Sequence, residues 1–484
     1  LRMEADGTCV GVTVGDANGT GGGAEWRVRG AVPGSRVLAF GRPKSASVLK
    51  VLEPSPGSIA PRCAQFGTCG GCLLQPLPVA RQRAAKLDAL RHLLASLGGD
   101  CGGMLAADGD GYGYRNKLEV TFGTTRYLSR EELDSAGEND IPDRCGRFVG
   151  MHGPGHFDRI VDTPRCEIAD EAINLVLQRV RKDTLESPFP LWEPRAHTGF
   201  WRHLVLRRGG DGRTLLLVYT SVAGDEERAW LRQKAPSWGA DAVCWYMSDR
   251  TSDAAVGELA EVLHGTPILG VYLGHPTAER PSDGSQSPLG TGRLDLAPTA
   301  FFQVHDAGAT VLLEVVAGML GHGGTLLDLY CGVGAFGLAL RSRFRRIGGI
   351  ELNDFAVLAA RDNARRLGVV SAYRSGAVEY ELPALLADFS LLSRLGPQSS
   401  ASPDRLAVLV DPPRSGLHPK ALATIGGLQA DVLVYVACKP ASLARDAVAL
   451  LAAGWRCEAW TAVDLFPQTP HTEVVARFVR GAPG

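Results

Sequence analysis

From about residue 323 onward the chain alternates short, continuous apolar runs with helical segments. The runs are TLLDLY (325–330), RRIGGIEL (345–352), LAVLVDPP (406–413) and VLVYVAC (432–438). Unbroken apolar stretches are what strands of a parallel sheet require, because helices cover both of its faces. Two further runs, around 455–463 and 473–480, leave no room for a crossover helix between them and predict an antiparallel pair. The expected fold class is α/β, a doubly wound Rossmann-like sheet over residues 291–484 that ends in an antiparallel hairpin.

The front half reads differently. Across residues 1–58, VRGAVPGSRVLAF (28–40) and KSASVLKVLEPSP (44–56) alternate Val and Leu between Gly and Pro turns, which predicts a small β-barrel. Leu87, Leu90, Leu94 and Leu97 recur at helical spacing and predict a helix over about 79–97. Strand-like YRNKLEVTFG (114–123), WRHLVLR (201–207) and TLLLVYT (214–220) make residues 59–290 a mixed α+β central domain. Two stretches rich in Pro, Ser and Gly, 275–292 and 396–405, carry no apolar periodicity and read as mobile loops.

Composition narrows the class without choosing a function. At 484 residues, 45% hydrophobic and 21% charged, the chain is that of a globular protein with more than one core. No apolar run approaches the roughly 20 residues of a membrane-spanning helix, so no membrane partner is expected. No basic-then-apolar secretory segment opens the chain, which starts at Leu1. Eleven cysteines, an odd number and scattered but for one cluster, do not make a disulfide framework. They point to an intracellular, reducing compartment: the cytoplasm, or a plastid or mitochondrion where an upstream transit peptide has been removed. Net charge is −1, so any nucleic-acid surface must be a local patch.

DLYCGVGAFG (328–337) follows the first C-terminal strand and opens a helix. Gly332, Gly334 and Gly337 fit a dinucleotide fingerprint, and Glu351 ends the next strand, where a carboxylate suits a ribose diol. Asp328, just before the turn, would repel a pyrophosphate and tolerate a sulfonium. Cys331 reads as a small buried filler. A hydride-transfer enzyme needs neither the Asp-Pro-Pro that begins at Asp411 nor a cysteine at the fifth strand's end. The combination favours S-adenosylmethionine.

Cys438 ends VYVAC, ahead of a Lys-Pro that opens a helix whose N-terminus would lower the thiol pKa. Glu473 follows the loop at the last hairpin. A thiolate, a carboxylate base and groups that hold a ring edge, all near a sulfonium, are what methylation of uracil carbon 5 requires. Asp411 is placed to accept hydrogen bonds from a base edge or cofactor. Arg414 reads either as a partner of Asp411 or as a phosphate or base contact, and His471 either as a loop residue or as an orienter of Glu473.

DLYCGVGAFG, IELNDFAVLAARDNA (350–364), VDPPRSGLHP (410–419), ACKPASLARD (437–446) and FPQTPHTEVV (466–475) together resemble the ordered motifs of the RNA uracil-5 methyltransferases. The resemblance implies a methyltransferase fold that moves a methyl group from S-adenosylmethionine to a uridine through a covalent Cys438–uracil adduct, with Glu473 as base. It also implies that Gln303 in FFQVH (301–305), Tyr330, Glu351 and Asp411 contact the cofactor or the target base. His305, Ala335 and Ala377 depart from the residues usual in the family. The target base would be flipped out of its stack, which is least costly for an unpaired loop uridine of a structured rRNA or tRNA.

Cys63, Cys69 and Cys72 are spaced C-x5-C-x2-C. Zinc and an iron–sulfur cluster both accept four thiolates, and three clustered ligands plus one remote suit a cubane better than zinc. Members of the 23S rRNA type of the family that carry a 4Fe-4S cluster show this spacing, and the resemblance makes Cys166 the fourth ligand. AVPGSRVL (31–38) is similar to the TRAM domain, an RNA-binding OB-like barrel. Arg115, Lys117, Arg202 and Arg207 read as phosphate contacts or as solvated strand residues. Two other readings remain open here: methylation of another RNA base, and a non-catalytic RNA-binding iron–sulfur protein. Amine-directed enzymes show an aromatic residue after Asp-Pro-Pro where Arg414 stands. Cytosine-directed ones place a second Cys in that motif, which DPPR lacks.

Overall fold

The computed structural model describes residues 1–12, 25–129, 132–133, 144–273, 292–395 and 405–480. The two stretches read as mobile loops lie outside these, except for Gly292 and Arg405. By its internal contacts the chain forms two compact units. One takes Leu1, Thr13–Val79 and Asp110–Gly270; the other takes Arg2–Val12, Ala80–Gly109 and Val271–Gly484.

The second unit is built on an eight-stranded sheet. Its order is Ser371–Ser375, Phe344–Glu351, Gly323–Leu329, Leu406–Val410, Val432–Ala437, Glu473–Arg480, Trp455–Val463 and Asp100–Leu105. The first five strands pair parallel. Glu473–Arg480 enters antiparallel to both of its neighbours. Leu327, Leu329, Ile350, Val408, Val410 and Leu433 are buried in one core, as continuous apolar strands require. The strand order reverses between Gly323–Leu329 and Leu406–Val410. The carboxyl ends of these two strands therefore open the crevice where ligands of such sheets bind.

Residues 80–109, which the sequence placed in the central segment, are part of this unit. Their strand Asp100–Leu105 pairs parallel with Trp455–Val463. DCGGML carries no apolar run, and nothing in its pattern announced a strand. The helix before it spans Val79–Leu93 and is followed by a 3-10 turn at Ala95–Leu97. Leu90, Leu94 and Leu97 are buried, and the helix's buried face also carries Gln82 and Lys86.

The first unit holds a seven-stranded sheet. Its order is Glu258–Gly265, Ala242–Met247, Thr214–Thr220, Trp201–Arg208, Lys117–Thr125, Cys145–His152 and Ile160–Asp162. Only Thr214–Thr220 and Ala242–Met247 run parallel. Trp201, Trp238, Trp245 and Phe122 centre its core. The Glu171–Glu186 helix packs on the sheet and is capped by Asp170, whose carboxylate accepts from the Ala172 N–H. Upstream, Ser45–Glu53 pairs antiparallel with Arg36–Arg42 and parallel with Glu25–Arg29.

Two of the residues read as phosphate contacts are inside the protein. Arg202 is fully buried, its guanidinium 4.0 Å from the centre of the Trp192 ring and donating to the carbonyls of Arg250 and Ser252. Arg207 is buried as well. Both stand on a strand covered on its two faces, so alternation gave no sign of which way they point. Among the described residues, no helix is long and apolar enough to cross a membrane.

Candidate active site

The glycine turn is set by backbone geometry and by two carboxylates. Tyr330 leaves its strand with φ of 66°, followed by Gly332 at 54° and Gly334 at 80°. A tyrosine in the left-handed region is a local strain, which folded proteins concentrate at functional sites. Glu351 steadies the turn: its Oε2 accepts the Gly332 N–H at 3.1 Å, and its Oε1 accepts the Asn353 N–H at 2.9 Å. Both oxygens keep lone pairs on a half-buried side chain. Asp328, fully buried, accepts the Gly337 N–H at 2.9 Å and so fixes the start of the following short helix. Its other oxygen has no partner, and burial raises the carboxyl to about 7. Cys331 is buried, with its thiol pushed well up by burial, which fits a filler.

Neighbouring strand ends carry the remaining residues. Leu329 pairs with Val410, so Tyr330 and Asp411 leave adjacent strands side by side, and the Asp411 N–H reaches the Leu329 carbonyl at 3.3 Å. The loop that Asp411 opens is tied to the helix Pro440–Ala452. Asp446 Oδ2 accepts the Leu417 N–H and the Tyr435 hydroxyl, and Ser442 donates to the Arg414 carbonyl.

The last pair between Val432–Ala437 and Glu473–Arg480 is Ala437 with Val474. One step further along that register, Cys438 faces Glu473. Cys438 is half-buried, while Glu473 is 2% exposed and its Oε2 has no hydrogen-bond partner. Burial raises Glu473 to about 8, with the Asp411 charge adding to the rise and Arg414 opposing it. Asp411 is raised to about 7 by burial and by Asp328.

The Cys438 thiol is raised to about 11, by burial first and then by Glu473 and Asp411, with Arg414 acting the other way. The expectation that the following helix would lower it is therefore corrected. The N-terminus of that helix is outweighed by desolvation and two carboxylates. Arg414, exposed, acts electrostatically on both Cys438 and Glu473.

Gln303 is half-buried in the segment ahead of the helix Asp306–Leu320. His305, at that helix's N-cap, places its Nδ1 3.1 Å from the Leu465 carbonyl. Burial lowers its pKa, so the neutral ring donates there from Nδ1. The departure from the family's usual residue thus has a local role, anchoring the loop that leads to Glu473. His471 is exposed, its ring edge-on to Phe466. Sequence reading missed the fully buried Asp464, Gln468 and Lys86 around this same loop.

In the first unit, Cys63, Cys69, Cys72 and Cys166 line one cavity of about 30 Å³. Asn174, fully buried, holds the Cys166 backbone by accepting its N–H and donating to its carbonyl. Gln75, which also lines the cavity, accepts the Cys63 N–H. Burial and the neighbouring thiols push Cys72 up to about 12, and Cys69 and Cys166 upward as well. Among the described residues, no three His, Cys, Asp or Glu side chains are gathered as for a metal ion. The donor chemistry fits a thiolate-bound cation, whose charge would offset that mutual repulsion. Cys101 and Cys145 are exposed, and neither is among the residues that line this cavity.

Comparison with known proteins adds to this geometry. The family model for tRNA (uracil-5-)-methyltransferases matches residues 297–479. An uncharacterized RNA methyltransferase of Caldanaerobacter subterraneus is 31% identical over 94% of this chain and 93% of its own. One of Chlorobaculum tepidum is 32% identical over 93% and 90%. The tRNA (uracil(54)-C(5))-methyltransferase of Pyrococcus abyssi is 27% identical over 92% of each chain. The crystal structure of a P. abyssi tRNA (uracil-54, C5)-methyltransferase with S-adenosyl-L-homocysteine superposes with a TM-score of 0.69. That match covers 99% of this chain and 98% of the other, at 22% identity.

Proposed function

Given that the chain belongs to the family of S-adenosylmethionine-dependent uracil-5 RNA methyltransferases, we propose that it methylates carbon 5 of a flipped-out loop uridine through a covalent adduct on Cys438. The observation that carries this reading is the strand register ending at Ala437 and Val474, which makes Cys438 and Glu473 the next residues of neighbouring strands, near enough for the Glu473 charge to act on the thiol.

The electron-poor uracil ring is first made nucleophilic. The Cys438 thiolate adds to carbon 6, and the ring electrons move onto the carbon 4 oxygen as an enolate. Carbon 5 then attacks the sulfonium methyl, breaking the S–CH3 bond and leaving S-adenosylhomocysteine. Glu473 removes the carbon 5 hydrogen as a proton. The C–H electrons restore the ring double bond and expel the thiolate. A buried carboxylate with a free oxygen and a pKa raised to about 8 is suited to that transfer near neutral pH. Glu351 would accept from the ribose hydroxyls of the methyl donor. Tyr330, Asp411 and Gln303 would line the donor and the target ring. A protonated Asp411 would relieve part of the charge that opposes thiolate formation, while Glu473 stays ionised to take the carbon 5 proton.

Cys63, Cys69, Cys72 and Cys166 would hold a 4Fe-4S cluster, whose iron supplies the positive charge that their thiolates need. That set points to the 23S rRNA type, whereas the P. abyssi relative acts on tRNA. Locating 5-methyluridine in the tRNA and rRNA of cells lacking the protein separates the two. For the mechanism, Cys438→Ala is expected to abolish methyl transfer and Glu473→Gln to trap a protein–RNA adduct. Methylation by the Cys438→Ala protein would overturn the reading.

A further inference from the structure

Glu473 is presented by a loop, 464–472, that three separate elements hold in place. The helix Val79–Leu93 contributes most. Lys86, 1% exposed, donates to Asp464 Oδ1 at 2.6 Å and to the Phe466 carbonyl at 3.1 Å. Asp464 is itself fully buried, and its other oxygen accepts from Arg83 Nε at 3.3 Å. One turn earlier, Gln82 donates to Gln468 Oε1 at 2.8 Å and accepts the Gln468 N–H at 2.9 Å. Gln468 has φ of 69°, a left-handed conformation that a non-glycine residue keeps only when its surroundings impose it. The Leu105 carbonyl accepts the Asp464 N–H, and His305 bonds the Leu465 carbonyl.

A buried ion pair is a poor source of stability, since apolar side chains of similar volume serve as well. What it supplies well is a fixed position. Glu473 needs one, because its own Oε2 has nothing to hold it.

We infer that Gln82 and the Lys86–Asp464 pair are positioning residues for the base. They set where the Glu473 carboxylate meets the ring, and so govern proton removal rather than thiol addition or methyl transfer. The inference rests on Glu473 acting as the base, as proposed above. Gln82 and Lys86 lie far from the methyltransferase motifs in sequence, on a helix that none of those motifs includes.

The test is a single-turnover reaction on unmodified tRNA and 23S rRNA transcripts with tritium on uracil carbon 5 and a carbon-14 methyl donor. Lys86→Met/Asp464→Leu and Gln82→Leu should each slow tritium release about tenfold or more while methyl transfer stays within about twofold, because small misplacements of a reacting group cost this much. A denaturant-resistant protein–RNA species should build up to match. Parallel loss of both signals would make the contacts merely structural, and loss of neither would remove their role. Either result overturns the inference. Should the double variant fail to bind S-adenosylmethionine, Gln82→Leu, which keeps the ion pair, decides. Glu473→Gln serves as reference. If it traps adduct and the others do not, positioning alone falls; if it traps none, the base assignment falls first.

Discussion

Three carboxyls dominate the site at the scale of single residues. Glu473 is raised to about 8, and Asp411 and Asp328 to about 7, each with burial as the main cause. A carboxyl whose folded pKa lies above its ordinary value of about 4 is most favourable to folding below that value, and the contribution is lost as pH rises through the folded pKa. The protein free of donor and RNA should therefore lose stability between about pH 4 and pH 8. Glu473→Gln should flatten that slope and be the more stable form above pH 8, by up to a few kcal/mol. Chemical denaturation across this range checks it, and a wild-type profile that rises with pH would contradict it. Cys438 gives a second expectation. With its thiol raised to about 11, alkylation of its peptide by iodoacetamide should increase roughly tenfold per pH unit above 7, since only the thiolate reacts. Glu473→Gln removes a charge that opposes the thiolate, so alkylation above pH 8 should be faster in that variant. A rate already flat at pH 7 by mass spectrometry would mean that the thiol is ionised at rest.

At the scale of elements, the glycine turn shows how local sequence becomes geometry. Gly337 lies where the short helix meets its strand; a Cβ there would come 2.8 Å from Ile347 Cγ2 and 3.1 Å from Asp328 Oδ2. Ile347 is fully buried, and its branch methyl cannot swing aside. Gly337→Ala should therefore cost about 1–3 kcal/mol and weaken S-adenosylmethionine binding by displacing Asp328 from the turn, measurable by calorimetry. The elements of this unit were legible where apolar residues ran unbroken. The runs at 325–330 and 345–352 became Gly323–Leu329 and Phe344–Glu351, and the final hairpin fell at Trp455–Val463 and Glu473–Arg480 as its spacing required. Ser371–Ser375 and Asp100–Leu105, at the two edges of the sheet, were not legible, because edge strands with polar or glycine-rich sequences carry no apolar signature. The same physics hid Lys86 and Gln82. A lysine on a helix reads as solvent-facing unless its carboxylate partner is known, and Asp464 is 378 residues away. Cys438 and Glu473 could be proposed from the sequence because the chemistry assigned to them depends on residue type at strand ends. Their facing each other, and the raised pKa of the thiol, follow only from register and burial.

Across the whole molecule, the two units keep separate cores, one around Trp201 and Trp245, the other around Leu327 and Val408. The cysteine set belongs entirely to the first and the proposed reaction to the second. Cys63, Cys69 and Cys166 all raise the pKa of Cys72, and Cys69 raises that of Cys166, so four thiolates would be tolerated there only with a cation among them. Loading with iron and sulfide should produce broad absorption near ~400 nm, as expected of thiolate-bound iron–sulfur centres. Cys69→Ser or Cys166→Ser should remove it; a colourless, zinc-loaded wild type would refute the cluster. Because the four proposed ligands stand in one unit, loss of the proposed cluster should destabilise that unit first. Calorimetry of the Cys166→Ser protein should show one transition lowered, while S-adenosylmethionine still raises the temperature of the other. A single transition that falls as a whole, with donor binding lost alongside, would show instead that the cysteines support the reacting unit directly.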